Sequence, residues 1–573
     1  MKKKTRKEKN TKKIPAKKLP VLPRICIAAT GDTPETLFAC ARNSLRHSPL
    51  VELRLDWLRD PRKALPRISG LLRAVSRLQR GRSVVLQATC RRRENGGRFR
   101  GSVAEQMEIL RRAAEAGCRV LDLEIESAEA AGQEAVESLR RRALLILSIH
   151  DFRRTPALAA AASRLRRFPA EVYKVVPTAT RQSDNCRTLD FLRSVAARNP
   201  KRAEPLEKQK QEQWVAFSMG AAGVPSRVLA LSRGSAFVYA ACPPPRQMNA
   251  SLVRNRNDKP PAFSAPSAPG QIDSDVLRNS YRAEKLSRRS ALYGLLGNPV
   301  GHSLGAAIHN AAFRSAGVDA VYVPLLSSDL KDFRSAADRY PLAGFSVTVP
   351  HKQGILRWVD RMDRRVQAAG AANTVRVRRG RWEAINTDVE GIAVPLRKAL
   401  RLGRDEQLPR DFRALIVGNG GAARAAWIAL RELKCRDISV TGRSPARVRA
   451  FTRTLGGEAI TMGALRRDQF DLLVHATSVG MWPKTEACLL RSEQVNARLV
   501  FDLVYNPAET RLLEIARARG CRTISGLEMF LAQAARQFEY WTGVQAPLRR
   551  MRTTAQQELY RLQQLHKRSG AEA

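Results

Sequence analysis

Two lysines stand in sequence surroundings that favour chemistry over surface charge. Lys174 interrupts the apolar run Val172–Val176, and Lys352 follows a short word rich in Ser, Thr and Pro. A lysine in a buried strand pairs with a carboxylate, extends its amine to solvent, or acts as a nucleophile when burial and cationic neighbours bring its pKa towards neutrality. Lys352 and Asp388 are a titratable pair, which is either a surface salt bridge or a proton-transfer couple.

Further polar side chains stand at or just after the apolar runs in the first half of the chain. They are Glu52, Arg54, Arg91, Glu124, His150 and Arg227. The carboxyl ends of parallel barrel strands meet at one face, and barrel enzymes carry their active sites there. We therefore expect these side chains and Lys174 to form one site.

A glycine-rich turn in the second half has the form of a dinucleotide-binding loop. An apolar run ends at Val417, a helical stretch follows, and the turn between them contains Gly418, Gly420, Gly421 and Ala422. Such glycines let the backbone approach a pyrophosphate at a helix N-terminus. The next strand ends at Arg443 and Ser444, where an NAD site would have an acidic residue, so the sequence predicts NADP unless Arg443 is simply a solvated arginine.

Eight short apolar runs alternate with helical stretches rich in Arg and Ala between residues 24 and 240. The runs are Ile25–Ala29, Val51–Asp56, Ser83–Thr89, Arg119–Glu124, Leu144–Ile149, Val172–Val176, Trp214–Met219 and Ala236–Ala240. Eight such units predict an α/β chain that begins with a (β/α)8 barrel. A second strand–helix pattern starts at Tyr293, breaks around 401–411 and resumes at Ala414, which predicts a two-lobed unit with a Rossmann lobe.

These patterns divide the chain into six segments. In order they are a disordered basic tail at 1–21, the barrel at 22–275, a linker at 276–290, a substrate-binding lobe at 291–400, a Rossmann lobe at 401–545 whose last helices return to the substrate lobe, and a basic C-terminal helix or tail at 546–573. The segment Cys242–Pro266 is rich in Pro and Asn, and we expect it to be an irregular insertion.

The nine cysteines include no Cys-x-x-Cys pair and no Cys/His cluster with the spacing of a zinc site. An odd number of scattered cysteines in a large chain is typical of reduced thiols, so we expect a cytoplasmic protein without a bound metal. No apolar run reaches the ~18 residues of a membrane span. No apolar segment follows the basic N-terminus as it does in a secretory signal.

The polar sequence motifs of the first half resemble those of type I 3-dehydroquinate dehydratase over residues 22–275. The words are Glu52-Leu-Arg54-Leu-Asp56, Thr89-x-Arg91, Asp122-Leu-Glu124, Ser148-Ile-His150-Asp151-Phe152, Tyr173-Lys174, Ser226-Arg227 and Ser267-Ala-Pro-Gly-Gln271. The resemblance implies that Lys174 forms an imine with the C3 ketone of 3-dehydroquinate. It also implies that His150, oriented by Glu124, removes the C2 proton and helps the C1 hydroxyl leave. The implied substrate ligands are Glu52, Arg54, Arg91, Arg227, Ser267 and Gln271.

The first half departs from that family in two places. Asn95-Gly96-Gly97 stands where the family has Glu-Gly-Gly, and we expect this change to be mild. The insertion Cys242–Pro266 directly precedes Ser267 and Gln271, which belong to the loop that closes over the substrate in the family. If the insertion displaces this loop, we expect dehydratase activity to fall while Lys174 stays reactive.

The second half resembles shikimate dehydrogenase over residues 291–545. The matching words include His302-Ser303, Ser346-Val-Thr348-Val-Pro350-His-Lys352, Asn373-Thr374, Asn386-Thr387-Asp388, Thr477-x-x-Gly480-Met481, Tyr505-x-Pro507 and Gly526-Leu-Glu-Met529-x-x-x-Gln533. The resemblance implies hydride transfer between NADPH and the C3 carbonyl of 3-dehydroshikimate, with Lys352 and Asp388 as the catalytic couple and Lys352 as the proton donor. The implied shikimate ligands are Ser303, Ser346, Thr348, Asn373, Asp388 and Gln533, and the implied residues on the nicotinamide side are Met481, Tyr505, Gly526 and Met529.

The second half also departs from its family. Ser303-Leu-Gly305-Ala306 stands where the family has Ser-x-Ser-Pro, so one carboxylate-binding hydroxyl is missing. A hydrogen bond to a charged group is worth about 1.5–3 kcal/mol, so we expect a higher KM for shikimate. Gly305 could also leave room for the additional C1 hydroxyl of quinate. Gly442 and His475 replace asparagines near the cofactor, and we expect them to tune its affinity.

The net charge of the 573-residue chain is large, because 101 Lys and Arg outnumber 53 Asp and Glu to give +48. The anionic substrates and NADP account for a few of these arginines, and the rest favour a solvated, Arg-rich surface. A nucleic-acid-associated protein that retains an enzyme fold is the main alternative, although aromatics are only 6% and no helix-turn-helix or zinc finger is present in the sequence. We therefore expect a bifunctional shikimate-pathway enzyme with small anionic substrates, no membrane or specific nucleic-acid partner, and an undetermined oligomeric state. A chain with one inactive half remains the second alternative.

Overall fold

The computed structural model describes residues 22–78, 83–197, 212–242, 270–301, 303–403, 405–466 and 468–569. Their contacts divide them into two compact units. The described residues within 22–177, 188–217 and 233–242 form the first unit, and those within 178–187, 218–232 and 270–569 form the second. The predicted basic tail, the insertion after Cys242 and the last four residues lie outside the described ranges.

The first unit is built on a sheet of eight parallel strands in the order β7-β6-β5-β4-β3-β2-β1-β8. The strands are β1 (Ile25–Ala29), β2 (Leu50–Arg54), β3 (Val85–Thr89), β4 (Val120–Glu124), β5 (Leu144–His150), β6 (Val172–Val176), β7 (Gln213–Ala216) and β8 (Val238–Ala241). The ring is nearly closed, because the backbone N–H of Ala236, just before β8, donates to the carbonyl of Trp214 in β7 at 2.8 Å. The predicted (β/α)8 barrel is therefore confirmed, and each predicted run overlaps one strand.

Helices alternate with these strands, as a right-handed parallel barrel requires. They are α1 (Pro34–Leu45), α2 (Ile68–Leu78), α3 (Val103–Glu115), α4 (Ile125–Ala131), α5 (Gln133–Arg142), α6 (Leu158–Leu165), α7 (Gln182–Ala197) and α8 (Val224–Arg233). The start of α7 and nearly all of α8 are grouped with the second unit by their contacts. Capping residues fix the N-terminal ends of several of these helices. In α3, Ser102 accepts from the N–H of Glu105, and the Glu105 carboxylate accepts from the N–H of Ser102 in return.

The second unit contains a mixed six-stranded sheet in the order β10-β9-β11-β13-β14-β12. Its strands are β9 (Ala291–Gly297), β10 (Ala320–Leu326), β11 (Leu342–Val347), β12 (Arg361–Met362), β13 (Thr374–Arg378) and β14 (Arg381–Ile385). Its helices are α9 (Gly305–Ser315), α10 (Leu330–Ala337), α11 (Arg364–Ala369) and α12 (Thr387–Leu400). The predicted linker is not simply exposed, since Leu277 and Ala283 within it are fully buried.

A parallel six-stranded sheet in the order β17-β16-β15-β18-β19-β20 follows. Its strands are β15 (Arg413–Val417), β16 (Asp437–Thr441), β17 (Glu458–Ala459), β18 (Phe470–His475), β19 (Ala497–Asp502) and β20 (Arg522–Ile524), with α13 (Gly421–Glu432), α14 (Pro445–Leu455) and α15 (Arg511–Ala518). Numbered within the sheet, this is the 3-2-1-4-5-6 order of a Rossmann fold, which binds dinucleotides where the strand order reverses, beside β15. The predicted Rossmann lobe is confirmed.

Two C-terminal helices, α16 (Gly526–Thr542) and α17 (Leu548–Ser569), pack on the mixed-sheet lobe. Phe538, Trp541 and Met551 share a buried apolar cluster with Tyr293 of β9 and Phe313 of α9. Met529 of α16 belongs to the apolar cluster of the Rossmann lobe, so this helix contacts both lobes. Among the described helices, none combines the length and the apolar composition needed to cross a membrane.

Candidate active sites

Polar side chains of neighbouring strands fill part of the barrel interior. Glu52 of β2, Gln87 of β3, Asp122 of β4, Ser148 of β5 and Lys174 of β6 are each 0–3% exposed. Adjacent strands place them side by side, since Glu52 is in register with Gln87 and Ser148 with Lys174. Buried polar groups require partners, so this layer is a hydrogen-bonded network in place of an apolar core.

The Lys174 Nζ donates a hydrogen bond to the Asp122 carboxylate, and both side chains are buried. The second oxygen of Asp122 accepts from the Ser148 hydroxyl at 2.7 Å. Burial opposes ionisation of Asp122, but the charges of Lys174 and Arg91 lower the pKa of its carboxyl below the ordinary value. The amine also lies 4.3 Å from the centre of the Tyr239 ring. The structure therefore shows the carboxylate pairing, and the same carboxylate is placed to accept the proton that a nucleophilic lysine must lose.

His150, the last residue of β5, is not held by Glu124. The Glu124 carboxylate accepts from Arg91 Nε at 3.1 Å and from Gln106 Nε2 at 2.7 Å. His150 Nδ1 is buried without a hydrogen-bond partner among the described residues. No hydrogen bond joins Glu124 to His150 among the described residues, so the orientation of His150 by Glu124 stays a prediction.

Burial and positive neighbours act together on the His150 ring. Desolvation and the charges of Arg91, Lys174 and Arg54 lower its pKa well below the 6.5 of an ordinary histidine. The ring is therefore neutral at physiological pH and free to accept a proton. His150 also lines a cavity of about 440 Å³ at the carboxyl ends of β5 and β6.

The other predicted ligands of the barrel differ in burial and in their contacts. Glu52 accepts from Thr89 Oγ1 at 2.6 Å, and Arg54 forms a two-pronged ion pair with Asp56 at 2.8 and 2.9 Å. Arg227 of α8 is buried, and desolvation lowers its pKa to about 10. Gln271 is partly exposed beside Gly270, and Ser267 lies outside the described residues.

A second site lies in the other unit, where Lys352 and Asp388 form an ion pair of 2.6 Å. Lys352 follows β11, and Asp388 stands in the first turn of α12, whose N-cap is Asn386. The other oxygen of Asp388 accepts from Asn373 Nδ2 at 2.7 Å, and that amide nitrogen is also 3.2 Å from Gln533 Oε1. The Asp388 side chain is only 6% exposed while that of Lys352 is 28% exposed, so the amine presents its charge to the cleft.

This ion pair lines a cavity of about 610 Å³. The predicted residues around the same cavity are Ser303, Ser346, Thr348, Asn373, Gln533, Ala422, Met481, Tyr505, Gly526 and Met529. Residues of both lobes therefore line the same cavity. The helix α16 adds Gly526, Met529 and Gln533 to its lining. The lining residues that were not predicted to act there include His309, Tyr322 and Gln537.

The glycine turn after β15 leaves an open helix end. Gly418 has φ +131°, and a Cβ there would lie 2.8 Å from the carbonyl oxygen of Ala476, so only glycine fits. No side chain caps α13 at Gly420, and a Cβ on Gly420 or Gly421 would meet nothing within 4 Å. Free N–H groups at an open helix N-terminus are what a pyrophosphate needs.

Arg443 is exposed at the end of β16, followed by the partly exposed Ser444, which is the N-cap of α14. A guanidinium beside the glycine turn suits a 2′-phosphate. These residues therefore fit a dinucleotide that carries a phosphate on its ribose. Among the described residues, no group of three or more His, Cys, Asp and Glu side chains is arranged as metal ligands.

His475, which replaces an expected asparagine, anchors the loop on the cofactor side. Its Nδ1 lies 2.8 Å from an oxygen of the fully buried Asp502, so Nδ1 carries the proton. The Thr477 hydroxyl lies 2.6 Å from Nε2 and accepts from the N–H of Val479 at 3.2 Å. This chain of bonds fixes the turn that leads to Met481.

Comparison with known proteins gives three family matches. Residues 25–288 match the model of type I 3-dehydroquinase, residues 295–375 that of the shikimate dehydrogenase substrate binding domain, and residues 526–556 that of the shikimate 5'-dehydrogenase C-terminal domain. The Arabidopsis thaliana bifunctional 3-dehydroquinate dehydratase/shikimate dehydrogenase is 29% identical over 87% of this chain and 78% of its own length.

Relatives of the second half are similar over nearly their whole length. Shikimate dehydrogenase (NADP(+)) of Bacillus licheniformis is 37% identical over 47% of this chain and 97% of its own length. A crystal structure of shikimate 5-dehydrogenase from Thermus thermophilus in complex with NADP(H) and shikimate is 32% identical, covers 47% of this chain and 99% of that one, and has a TM-score of 0.42. Because the Bacillus licheniformis enzyme is 37% identical over 97% of its length, the chain belongs to the shikimate dehydrogenase family, with a type I 3-dehydroquinase domain preceding the dehydrogenase in the same polypeptide.

Proposed function

We propose that the chain catalyses two consecutive reactions, dehydration of 3-dehydroquinate to 3-dehydroshikimate and NADPH-dependent reduction of 3-dehydroshikimate to shikimate. The observation that carries the proposal is that each half places one lysine against one aspartate at the predicted site. Lys174 pairs with Asp122 in the barrel, and Lys352 pairs with Asp388 beside the cavity of the second unit. The product of the first reaction is the substrate of the second.

In the barrel, Lys174 transfers a proton to Asp122 and attacks the C3 ketone with its free amine. Asp122 returns this proton to the hydroxyl of the adduct, which leaves as water, and the resulting protonated imine draws electrons from the adjacent C–H bond. Neutral His150 accepts the C2 proton and then returns it to the departing C1 hydroxyl, which leaves as water. Hydrolysis of the imine releases 3-dehydroshikimate and restores Lys174.

In the second unit, Lys352 hydrogen-bonds the C3 carbonyl oxygen and donates a proton to it as the alcohol forms. Asp388 orients Lys352 through their ion pair, and Asn373 fixes Asp388. NADPH, when bound, supplies the hydride. The turn 418–422 and Arg443 would hold its phosphates. The nicotinamide pocket would be lined by Met481, Tyr505, Gly526 and Met529, which would limit the access of water.

Conversion of 3-dehydroquinate by the purified full chain tests the proposal. With NADPH present, we expect shikimate to accumulate and NADPH to be oxidised in equal amounts. Without NADPH, 3-dehydroshikimate should accumulate instead. Reduction of added 3-dehydroshikimate without any conversion of 3-dehydroquinate would show an inactive barrel, and a failure of both reactions would refute the proposal.

The low pKa of His150 predicts an unusual pH profile for the dehydratase. Below pH 6.5 an ordinary histidine base becomes protonated and the rate falls. Because desolvation and three positive neighbours depress the pKa of His150, we expect kcat/KM for 3-dehydroquinate to stay near its maximum to pH values well below 6.5. Initial rates over a pH series measure this. An acid limb centred at pH 6.5 or above would contradict it.

Arg443 predicts the choice of cofactor. We expect Arg443→Ala to raise the KM for NADPH by about tenfold or more and to leave the KM for NADH unchanged, because only NADPH carries the 2′-phosphate. Arg449→Ala, an exposed arginine of α14, is the matched control and should change neither value. Equal effects of Arg443→Ala on both cofactors would assign Arg443 to the solvated surface.

A further inference from the structure

Two cysteines of the barrel unit, far apart in the chain, lie next to each other. Cys40 stands in the middle of α1, and Cys242 directly follows β8. The Cys242 sulfur lies 3.8 Å from the carbonyl oxygen of Cys40 and 3.5 Å from Asn43 Nδ2, one turn further along the same helix. The two thiols also lie within hydrogen-bonding reach of each other. The fold therefore assembles a dithiol from residues that neither proposed mechanism uses.

The surroundings of this pair supply hydrogen-bond donors for a sulfur anion. Asn43 donates its side-chain amide to the Cys242 sulfur at 3.5 Å. The Ser44 side chain is fully buried, and its hydroxyl has no hydrogen-bond partner among the described residues apart from the two sulfurs beside it. A buried hydroxyl requires a partner, and a thiolate is a stronger acceptor than a thiol. The amide and the hydroxyl are therefore placed to stabilise Cys242 as a thiolate.

These contacts act in opposite directions on the two thiols. The hydrogen bond from Cys40 is the largest of the influences that lower the pKa of the Cys242 thiol to about 6, against the burial that opposes ionisation. The same hydrogen bond, together with burial, raises the pKa of Cys40 above its ordinary value. Cys242 is partly exposed, whereas Cys40 is only 5% exposed. The pair therefore combines an accessible thiolate with a buried thiol.

We propose that Cys40 and Cys242 are a peroxide-sensitive dithiol that closes to a disulfide between α1 and the end of β8. The Cys242 thiolate attacks one oxygen of hydrogen peroxide, the O–O bond breaks, and Cys242 becomes a sulfenic acid while the departing hydroxide takes a proton from solvent. The Cys40 thiol then attacks the sulfenic sulfur, and the sulfenic hydroxyl leaves as water with the Cys40 proton. One peroxide is thereby reduced to two waters, and two thiols are oxidised to one disulfide.

The first test measures the reactivity of Cys242 in the reduced full chain. Iodoacetamide at pH 7 should modify Cys242 at least about tenfold faster than Cys488, because Cys488 is also partly exposed but burial raises the pKa of its thiol. Ser44→Ala and Asn43→Ala should each slow the modification of Cys242, since each removes a donor to the thiolate. Mass spectrometry of the labelled peptides gives the rates. Equal rates at Cys242 and Cys488 would overturn the proposal.

The second test follows the disulfide itself. After treatment of the reduced full chain with a slight excess of hydrogen peroxide, we expect a peptide pair that joins Cys40 to Cys242, and dithiothreitol should restore both thiols. Cys40→Ser removes the attacking thiol, so dimedone should then trap a sulfenic acid on Cys242. Cys118→Ser, at a buried cysteine of the same unit, is the matched control and should form the disulfide as the native chain does.

The disulfide would join α1 to the end of the last barrel strand, across 202 positions of the chain. Cross-linking so long a loop restricts the unfolded chain, so peroxide should raise the unfolding temperature of the native barrel by about 3 °C or more and leave that of Cys242→Ser unchanged. The absence of a linked peptide, or oxidation of Cys242 to a sulfinic acid while Cys40 stays a free thiol, would overturn the proposal. None of these measurements uses 3-dehydroquinate or shikimate, so their outcome is independent of the two proposed activities.

Discussion

Lys174→Ala is expected to reduce dehydratase kcat by on the order of 10⁴-fold or more, since loss of a covalent nucleophile leaves only binding and residual polar catalysis. Dehydrogenase activity of the same chain should be unchanged, because Lys352 and its cavity belong to the other compact unit. Borohydride treatment of the native chain with 3-dehydroquinate should trap a reduced adduct on the peptide that contains Lys174. No adduct, or an adduct that persists in Lys174→Ala, would contradict the assignment.

Loss of activity in Lys174→Ala must be separated from loss of fold. Removing the amine leaves Asp122 as a buried carboxylate whose remaining hydrogen-bond partners, Ser148 and Gln87, are neutral, and breaking a buried ion pair costs on the order of 3–5 kcal/mol. The double variant Asp122→Asn/Lys174→Met removes both charges and should unfold at a temperature nearer to that of the native chain. It should be as inactive as Lys174→Ala, whereas dehydratase activity in the double variant would exclude the imine mechanism.

Asp388→Asn and Lys352→Met are each expected to lower dehydrogenase kcat by about 10²–10⁴-fold, the usual contribution of a positioned proton donor. Asp388→Asn preserves the shape of the side chain but removes the charge that holds Lys352 at 2.6 Å. The KM for NADPH should change little, because the glycine turn and Arg443 are untouched. Initial rates with 3-dehydroshikimate and NADPH measure both constants.

Two controls accompany these variants. Lys331→Met replaces an exposed lysine of α10 and should leave both activities unchanged. Dehydratase activity of Asp388→Asn and Lys352→Met should equal that of the native chain, which reports that the rest of the chain is intact. A loss confined to KM, with kcat preserved, would assign Lys352 to substrate binding and not to proton transfer.

Several assignments could be made without the fold. The alternation of apolar runs with helical stretches is a local signal, and it predicted both the barrel and the Rossmann lobe because strand and helix periodicities differ along the chain. The turn Gly418–Ala422 was also recognisable, since the conformation it requires is specific to glycine. Lys352 and Asp388 were correctly paired from the chemistry of their flanking words.

Other features depended on contacts between distant strands. Asp122 and Glu124 stand on the same strand, two residues apart. The resemblance implied that Glu124 orients His150, and no particular carboxylate was predicted for Lys174. Strand register places Ser148 level with both Lys174 and Glu124, yet Lys174 donates to Asp122, two residues earlier on β4. The Glu124 carboxylate accepts hydrogen bonds from Arg91 and Gln106. His150 Nδ1 has no hydrogen-bond partner among the described residues. A signal for Asp122 existed, because a buried lysine requires a carboxylate nearby.

The amino-acid sequence by itself determined which residue types are present and where strands and helices form. It also determined which lysines and glycines stand in motifs typical of a reactive amine or a nucleotide-binding turn. Only the tertiary structure decided which charged and polar groups satisfy one another. The side chain of Tyr322 in β10 lies next to Gly305 in α9, and no local sequence pattern predicts this contact. The physical reason is that a buried hydroxyl or charge takes the partner that packing brings within about 3 Å, and such distances are set by strand order and register.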